Sequence, residues 1–454
     1  MNDYDVIVVG GGPGGSTVAG LTAMDGHRVL LLDKETFPRY QIGESLLPAT
    51  VHGICAMLGV REEIERAGFV RKRGGIFKWG TNPEPWTFAF ATSERMAGPT
   101  SYAYQVERTR FDTILLGNAA RLGVDVRQGH RAHGTVRDGA RITGVRYTDD
   151  TGRARVATAR FVVDASGNGS RLHHDVGGRR EYSPHFRNIA LFGYFHGGRR
   201  APEPNSGNIF CVTFAAGWFW YIPLSATLTS VGAVVRRESA HRVQGDPEIA
   251  YAALIDDCPL VREFLGEARR VTDPPYDRLR TRKDYSYDRT ALWCPGMALV
   301  GDAACFIDPV FSSGVHLATY SALLAARSIN SSLAGLVPEE KCFAEFEARY
   351  RREFALFRDF LVSFYRLRAD ERSYFRHAGV LTGHAGADRE AFVDLVGGVS
   401  SNDFSRTVLG EVLAEGAQLQ LRGLLGEEAG PEPPMFPGGL VSSLDGRRWL
   451  VPDV

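Results

Sequence analysis

Three stretches of the chain group residue types suited to chemistry with an anion. The run Gly10-Gly11-Gly12-Pro13-Gly14-Gly15 satisfies Gly-x-Gly-x-x-Gly, with Ser16 directly behind it. Glycines let a backbone approach a pyrophosphate closely, and a helix starting there aims its free N–H groups at the phosphates. Asp33 closes the next apolar run and suits a ribose 2′-hydroxyl. The second stretch, Met297-Ala298-Leu299-Val300-Gly301-Asp302-Ala303-Ala304, sets an acid on a glycine turn. In the third, Asp308-Pro309-Val310-Phe311-Ser312-Ser313-Gly314, a Ser-Ser-Gly turn runs into a helical pattern and offers N–H groups to an anion.

Regular elements must hold these groups in place. Residues 5–10 read as a buried strand, apolar on both faces as a central parallel strand is. Residues 16–24 read as a helix capped at Gly26, and residues 28–33 as a second strand ending in Asp33. Strand, helix, strand and acid together make the βαβ dinucleotide fingerprint. Residues 161–164 form another strand ending at Asp164, ahead of Gly167. Residues 297–300 form a strand that turns at Gly301-Asp302 into a small-residue helix. An acid there suits a ribityl hydroxyl, which FAD has and NAD lacks.

These stations resemble the FAD-binding domain shared by the aromatic hydroxylases and their relatives. Gln105-Val106-Glu107-Arg108, followed by Phe111-Asp112, adds to the likeness, with Arg108 placed to neutralise phosphate or flavin. The cofactor contacts expected on this basis are Gly10, Gly12, Pro13, Gly15, Ser16, Asp33, Arg39, Gln105, Arg108, Asp164, Gly301 and Asp302. No second glycine fingerprint follows a strand, so a separate nicotinamide domain is not expected.

With 454 residues, 44 % hydrophobic and 23 % charged, the chain is globular and has room for two or three modules. Fifty-three basic residues cancel 53 acidic ones, which removes the footprint of a nucleic-acid binder or a polybasic membrane anchor. Only Lys34, Lys72, Lys78, Lys283 and Lys341 among the basic residues are lysines. The six cysteines are widely spaced, without a disulfide or zinc pattern, so no metal is expected. The first residues lack a secretory n-region, and no run nears the roughly 20 apolar residues of a membrane span. A soluble, cytoplasmic protein is the expectation.

The expected fold is α/β: a Rossmann-like FAD-binding domain interleaved with a β-sheet substrate domain, followed by a helical region. Residues 1–75, 102–180 and 275–345 are assigned to the first, residues 76–101 and 181–274 to the aromatic-rich sheet roofing the flavin. Residues 346–454 are assigned to the helical region, with an irregular Pro- and Gly-rich tail from Pro431 to Val454. Arg349, Arg351, Arg352, Arg358, Arg366 and Arg368 mixed with Phe354, Phe357, Phe360, Phe364 and Tyr365 suggest an amphipathic helix laying its aromatics on the core. A substrate-facing aromatic wall is the alternative.

Further motifs bear on the chemistry. Trp218-Phe219-Trp220-Tyr221-Ile222-Pro223 matches Trp-x-Trp-x-Ile-Pro, the signature of the flavin-dependent halogenases. Two same-face tryptophans in a strand are also ordinary core residues. Lys72-Arg73-Gly74-Gly75-Ile76-Phe77-Lys78-Trp79-Gly80 resembles the corresponding run of the phenol- and pyrrole-type branch, and Gly43-Glu44-Ser45-Leu46 is typical of the family too. An isolated lysine is ordinarily a solvated surface residue, as Lys78 is expected to be. The resemblance assigns Lys72 the catalytic role, either hydrogen-bonding hypohalous acid as an ammonium or forming a chloramine as an amine. Arginine serves neither role.

The resemblance further places chloride or bromide on the amides of Ser313 and Gly314, with Ser312 and the tryptophans as catalytic neighbours. Trp218 and Trp220 would keep organic substrate from the oxidant. Tryptophan-type halogenases carry a glutamate just before the equivalent serines; Phe311 stands there in this chain, which argues against free tryptophan. His316 reads as a helix-packing residue. The activity implied is chlorination of an electron-rich aromatic, such as a phenol or pyrrole, in secondary metabolism. It would use O2, FAD reduced by a separate flavin reductase, and a substrate that is free or held on a carrier protein. The rivals are an FAD monooxygenase that hydroxylates directly and a catalytically silent flavoprotein scaffold.

Overall fold

The computed structural model describes residues 2–283, 285–366, 369–383, 387–400 and 434–452. Arg368, residues 401–430 of the expected helical region and the two ends of the tail expected to be irregular, 431–433 and 453–454, lie outside the described residues.

Two eight-stranded sheets carry the molecule. In the first, the path runs Trp293–Cys294, Met297–Leu299, Ala154–Asp164, Tyr4–Val9, Val29–Asp33, Asp125–Gln128. All neighbours on this path are parallel except the first, antiparallel pair. Tyr4–Val9 sits in the middle, and its Val6, Ile7 and Val8 are wholly buried, as a strand covered on both faces requires. Ala154–Asp164 is long enough to do two jobs. Its first half pairs antiparallel with Arg141–Thr148, and its second half pairs with Tyr4–Val9.

The second sheet takes the strands Ile189–His196, Leu228–Val235, Gly217–Pro223 and Ile209–Phe214 in that spatial order. Gly74–Lys78 joins it parallel to Ile209–Phe214, so a segment from early in the chain is built into a sheet made mostly of later ones. Period-2 alternation divides its faces. Phe219, Tyr221, Phe210 and Val231 pack under the helices Pro247–Asp256 and Pro259–Leu265. Trp218, Trp220, Phe192, Tyr194 and Cys211 turn the other way, into the main core beside the first sheet.

Helices close the fold. Pro13–Ala23 packs on Ser313–Leu333, and Glu339–Arg366 packs on the latter in turn. The long helix buries Phe354, Phe357, Phe360 and Phe364 against the core, the amphipathic arrangement its spacing predicts. Where an irregular tail is expected, Val441–Ser442 instead pairs with Trp449–Leu450. Trp449 is fully buried, its indole N–H donating to Ser328 Oγ at 3.0 Å. Arg448 reaches Asp25 at 2.8 Å, and Arg447 donates to the Met24 carbonyl at 3.0 Å. The last described strands thus clasp the helix that begins at Ser313 to the end of the chain's first helix.

Among the described residues no helix is long and apolar enough to cross a membrane, and no cluster of His, Cys, Asp or Glu could hold a metal ion. The six cysteines are free thiols.

Candidate active site

A cavity of about 860 Å³ lies between the two sheets, and segments from Gly10 to Ala318 line it. At one end the helix Pro13–Ala23 starts on Gly12, with proline at its first position, no side-chain cap and no acid in its first turn. Its free N–H groups are therefore left to a ligand anion. The fingerprint is sterically enforced behind the wall. A Cβ on Gly15 would sit 1.7 Å from the Gly10 carbonyl oxygen, so no other residue lets the helix and strand approach this closely. Ser16, also behind the wall, donates to the Gly11 carbonyl at 3.0 Å. Asp33 lines the cavity, its carboxylate accepting from the amides of Gly11 at 2.6 Å and Glu35 at 2.8 Å.

Eight of the twelve residues expected to touch the cofactor line this cavity: Gly10, Gly12, Pro13, Asp33, Arg39, Arg108, Gly301 and Asp302. The other four act from outside it. Besides Gly15 and Ser16 these are Gln105, whose amide donates to the Gly207 carbonyl at 3.1 Å, and Asp164. The wholly buried Asp164 carboxylate accepts from Ser166 N at 3.0 Å and Oγ at 2.6 Å, and from Ser170 Oγ. It shapes the loop 165–169, and that loop supplies the cavity wall. Beyond Gly301 there is only one short turn, Gly301–Ala303, in place of the expected helix. Burial pushes the Asp302 carboxyl up to about 6, with Arg108 and Arg282 pulling it back.

One residue not singled out as a contact holds two that were. Asp112 has a wholly buried side chain and takes Arg39 at 2.9 Å and Arg108 at 2.6 Å and 2.9 Å. Arg108 also donates to the carbonyls of Ile42 and Gly43 at 2.7 Å and 3.1 Å. The Arg108–Asp112 spacing of four on a helix is the signal that could have found it. An uncapped helix start, a strand-end acid, two arginines on the wall and a second acid at Gly301-Asp302 fit FAD, in the order pyrophosphate, ribose and ribityl chain demand.

At the other end, Ser312 and Gly314 line the cavity and Ser313 lies just behind, 1 % exposed. Ser312 holds φ +61°, alone among the described non-glycine residues in the left-handed region, and begins the helix Ser313–Leu333. Lys72 reaches this turn from outside the cavity. Its ammonium donates to Ser45 Oγ at 2.9 Å and the Leu46 carbonyl at 3.1 Å, and reaches Ser312 Oγ at 3.4 Å. Ser45 and Ser312 both line the cavity, so Lys72 stands one hydroxyl's thickness behind its wall. The side chain is 2 % exposed; burial pushes the amine down to about 7, and Cys211 beside it raises it a little.

The two tryptophans differ in position. Trp220 lines the cavity, its indole lying on Gly232, where a Cβ would come within 2.2 Å of the ring. Trp218 lies deeper, its indole N–H donating at 2.6 Å to Tyr365 Oη, which donates at 3.0 Å to Asp308 Oδ1. The same Asp308 oxygen accepts from Val310 N at 3.1 Å and so caps the turn leading to Ser312. Trp218 is thus joined to the Ser-Ser-Gly turn through Tyr365 and Asp308. Burial lifts the Asp308 carboxyl to about 7. Phe311 is packed among Phe77, Phe360 and Phe364 with ring centroids 4.8–6.0 Å apart. His316 is buried and pairs with Glu353 at 3.1 Å, and the Lys78 ammonium is held by the carbonyls of Asn82 and Pro83, both at 2.6 Å.

Comparison with known proteins bears on this arrangement. A family model described as tryptophan halogenase matches residues 5–98 and 92–409. The tryptophan 2-halogenase of Chondromyces crocatus is 36 % identical over 405 residues, covering 87 % of this chain and 75 % of its own. The flavin-dependent halogenase armH3 of Armillaria mellea is 31 % identical over 395 residues, 82 % of this chain and 77 % of its own. The chain belongs to the flavin-dependent halogenases. Among solved structures, the myxobacterial chondrochloren halogenase CndH is 51 % identical to this halogenase, with a TM-score of 0.81 over 98 % of this chain and 99 % of that one. The flavin-dependent halogenase CmlS is 29 % identical, with a TM-score of 0.76 over 99 % of this chain and 84 % of that one. As a member of this oxidoreductase family the protein uses FAD, delivered reduced by a separate reductase, together with halide and O2, on an aromatic substrate.

Proposed function

We propose that this halogenase chlorinates an electron-rich ring of the phenol or pyrrole type, through hypohalous acid directed by Lys72. The observation that carries the reading is the placement of Lys72 against Ser45 and Ser312, two hydroxyls that line the cavity. FAD, when bound and reduced, supplies the electrons that activate O2. The chain's own residues do the rest. Gly10, Gly12, Pro13, Asp33, Arg39 and Arg108 hold the cofactor, and the turn Ser312-Ser313-Gly314 holds the halide. Trp220 walls the cavity against organic substrate. Ser312 and Lys72 then carry the oxidant across that wall.

An amine lowered to about 7 is part ammonium, part free amine at neutral pH, so Lys72 can donate a hydrogen bond to the acid or bond to its halogen. The aromatic packing of Phe311 supports a ring other than free tryptophan, because no carboxylate stands at that point to steady an indole cation.

The test supplies protein with FAD, a flavin reductase, NADH, O2 and chloride or bromide, plus phenols and pyrroles, free and carrier-loaded. Mass spectrometry reads the chlorine isotope pair, with Lys72→Ala alongside. Chlorinated product lost in the variant is the expected outcome. Oxygenated product from both proteins would make the chain a hydroxylase in practice.

A further inference from the structure

Hypohalous acid production, on the reading above, imposes a proton requirement. Each turnover converts FADH2, O2, halide and one proton into FAD, HOX and water. The flavin gives up two electrons, the halide two, and O2 takes four. The cavity meets solvent at the exposed Lys34 and Glu35, and the proton must reach its buried part, walled by Ala190, Phe192, Ile209, Trp220 and Ile222.

A continuous chain of three side chains leads there. Tyr40, half-buried at the cavity wall under the Arg280 guanidinium, has its hydroxyl 2.7 Å from that of Tyr194. Tyr194, buried, donates at 2.7 Å to Oε1 of Glu44. Glu44 lines the cavity and is 2 % exposed; besides Tyr194 only the Ser230 hydroxyl approaches its carboxyl, and Oε2 makes no hydrogen bond of good geometry. An acceptor in that state carries a desolvation cost that a proton on the carboxyl relieves. Phenol hydroxyls both give and take protons, so the hydrogen-bonded row can pass one inward by a concerted shift.

The charged and titratable groups facing Glu44 are Arg108 and Glu107, with Tyr40, Tyr194 and Tyr276. Arg108 is already engaged by Asp112 and two carbonyls. Burial wins over these neighbours and lifts the carboxyl to about 7, leaving it substantially protonated at neutral pH.

We propose that Tyr40, Tyr194 and Glu44 are the route by which the reaction's proton enters the flavin cavity, with Glu44 as the donor. The Glu44 O–H bond breaks, the proton goes to the oxygen atom released as water, and the carboxylate regains a proton from Tyr194. In the same concerted shift Tyr194 takes the proton of Tyr40 and Tyr40 takes one from solvent, so that no buried phenolate, which burial disfavours, is formed.

Two measurements test this. In flavin-free protein, infrared difference spectra across pH 5.5–8.5 should show carboxylic-acid carbonyl absorption titrating near 7, to which Asp308 also contributes, that loses one carboxyl's amplitude in Glu44→Gln and keeps it in Asp308→Asn. In single turnovers with pre-reduced FAD and chloride, wild type should slow as pH rises through about 7. Glu44→Gln should turn over at least tenfold more slowly at pH 6.5 and lose that profile, whereas Tyr194→Phe and Tyr40→Phe, which keep a protonated Glu44, should match wild type in the first turnover and run at least tenfold slower in the turnovers that follow. If Glu44→Gln does not hold FAD, the two tyrosine variants, which keep the carboxyl, decide the matter. An undiminished band in Glu44→Gln, or wild-type rates in successive turnovers of the tyrosine variants, overturns the proposal. Wild type that yields no halogenated product would overturn the halogenase chemistry instead, and the infrared titration would stand apart from that result.

Discussion

Replacing Lys72 with methionine is expected to stabilise the fold while abolishing halogenation, and the stabilisation should vary with pH. The amine is 2 % exposed and titrates near 7 in the folded protein, against an ordinary 10.5. Between those values the unfolded chain keeps a proton that the folded chain has released. Raising the pH therefore favours the fold, by about 1.4 kcal/mol per pH unit for one proton. Over the whole interval this amounts to something on the order of 5 kcal/mol. Below about pH 6 both states are protonated and wild type bears the full cost of the buried charge. Methionine has similar length and no charge. Its loss of the hydrogen bonds to Ser45 and Leu46 offsets about 1 kcal/mol each. The advantage of Lys72→Met should thus be flat, at a few kcal/mol, below about pH 6, and shrink steadily above about pH 7. Urea unfolding of both proteins without flavin, from pH 5.5 to 9.5, measures it. A stability difference that does not move with pH would refute the reasoning, since it would mean that Lys72 keeps an ordinary lysine's affinity for its proton.

Other perturbations discriminate the remaining assignments. Asp112→Ala leaves Arg39 and Arg108 without the carboxylate they share, and should cost about 3–5 kcal/mol in urea unfolding and weaken FAD binding read by fluorescence. Gly15→Ala forces a methyl group into the Gly10 carbonyl, so purified protein should carry no flavin by absorbance. Trp218→Phe removes one buried hydrogen bond to Tyr365, worth about 1 kcal/mol in thermal or urea unfolding. The same variant should leave bound-flavin fluorescence quenched, whereas Trp220→Phe, on the cavity wall, should raise it severalfold.

What the sequence disclosed follows from which constraints are local. The βαβ fingerprint is readable because Gly10 to Gly15 and Asp33 satisfy steric and hydrogen-bond demands within one turn and one strand end. Asp164 looks the same in sequence, an acid at the end of a parallel strand, but its carboxylate is taken by Ser166 and Ser170, and no spacing announces that. Period 2 correctly puts Trp218 and Trp220 on one face; it does not say that the cavity reaches only one of them. Asp112 was visible as a helical partner of Arg108, and Glu44 sat inside a stretch noted for its pattern. Tyr365 meets Trp218 across 147 residues of chain, which only the folded molecule could reveal.

The clasp formed by residues 441–450 bears on how the protein is made. Trp449 docks on Ser328, 121 residues upstream, and Arg448 on Asp25, 423 residues upstream. At about 5–20 residues per second, a ribosome needs on the order of ten seconds between finishing the helix that starts at Ser313 and supplying the indole that covers it. During that pause the helix whose first turn is assigned to the halide has an uncovered apolar flank. The nascent enzyme should therefore gain its flavin-holding shape only once residues 441–450 have emerged, with cofactor capture following that step.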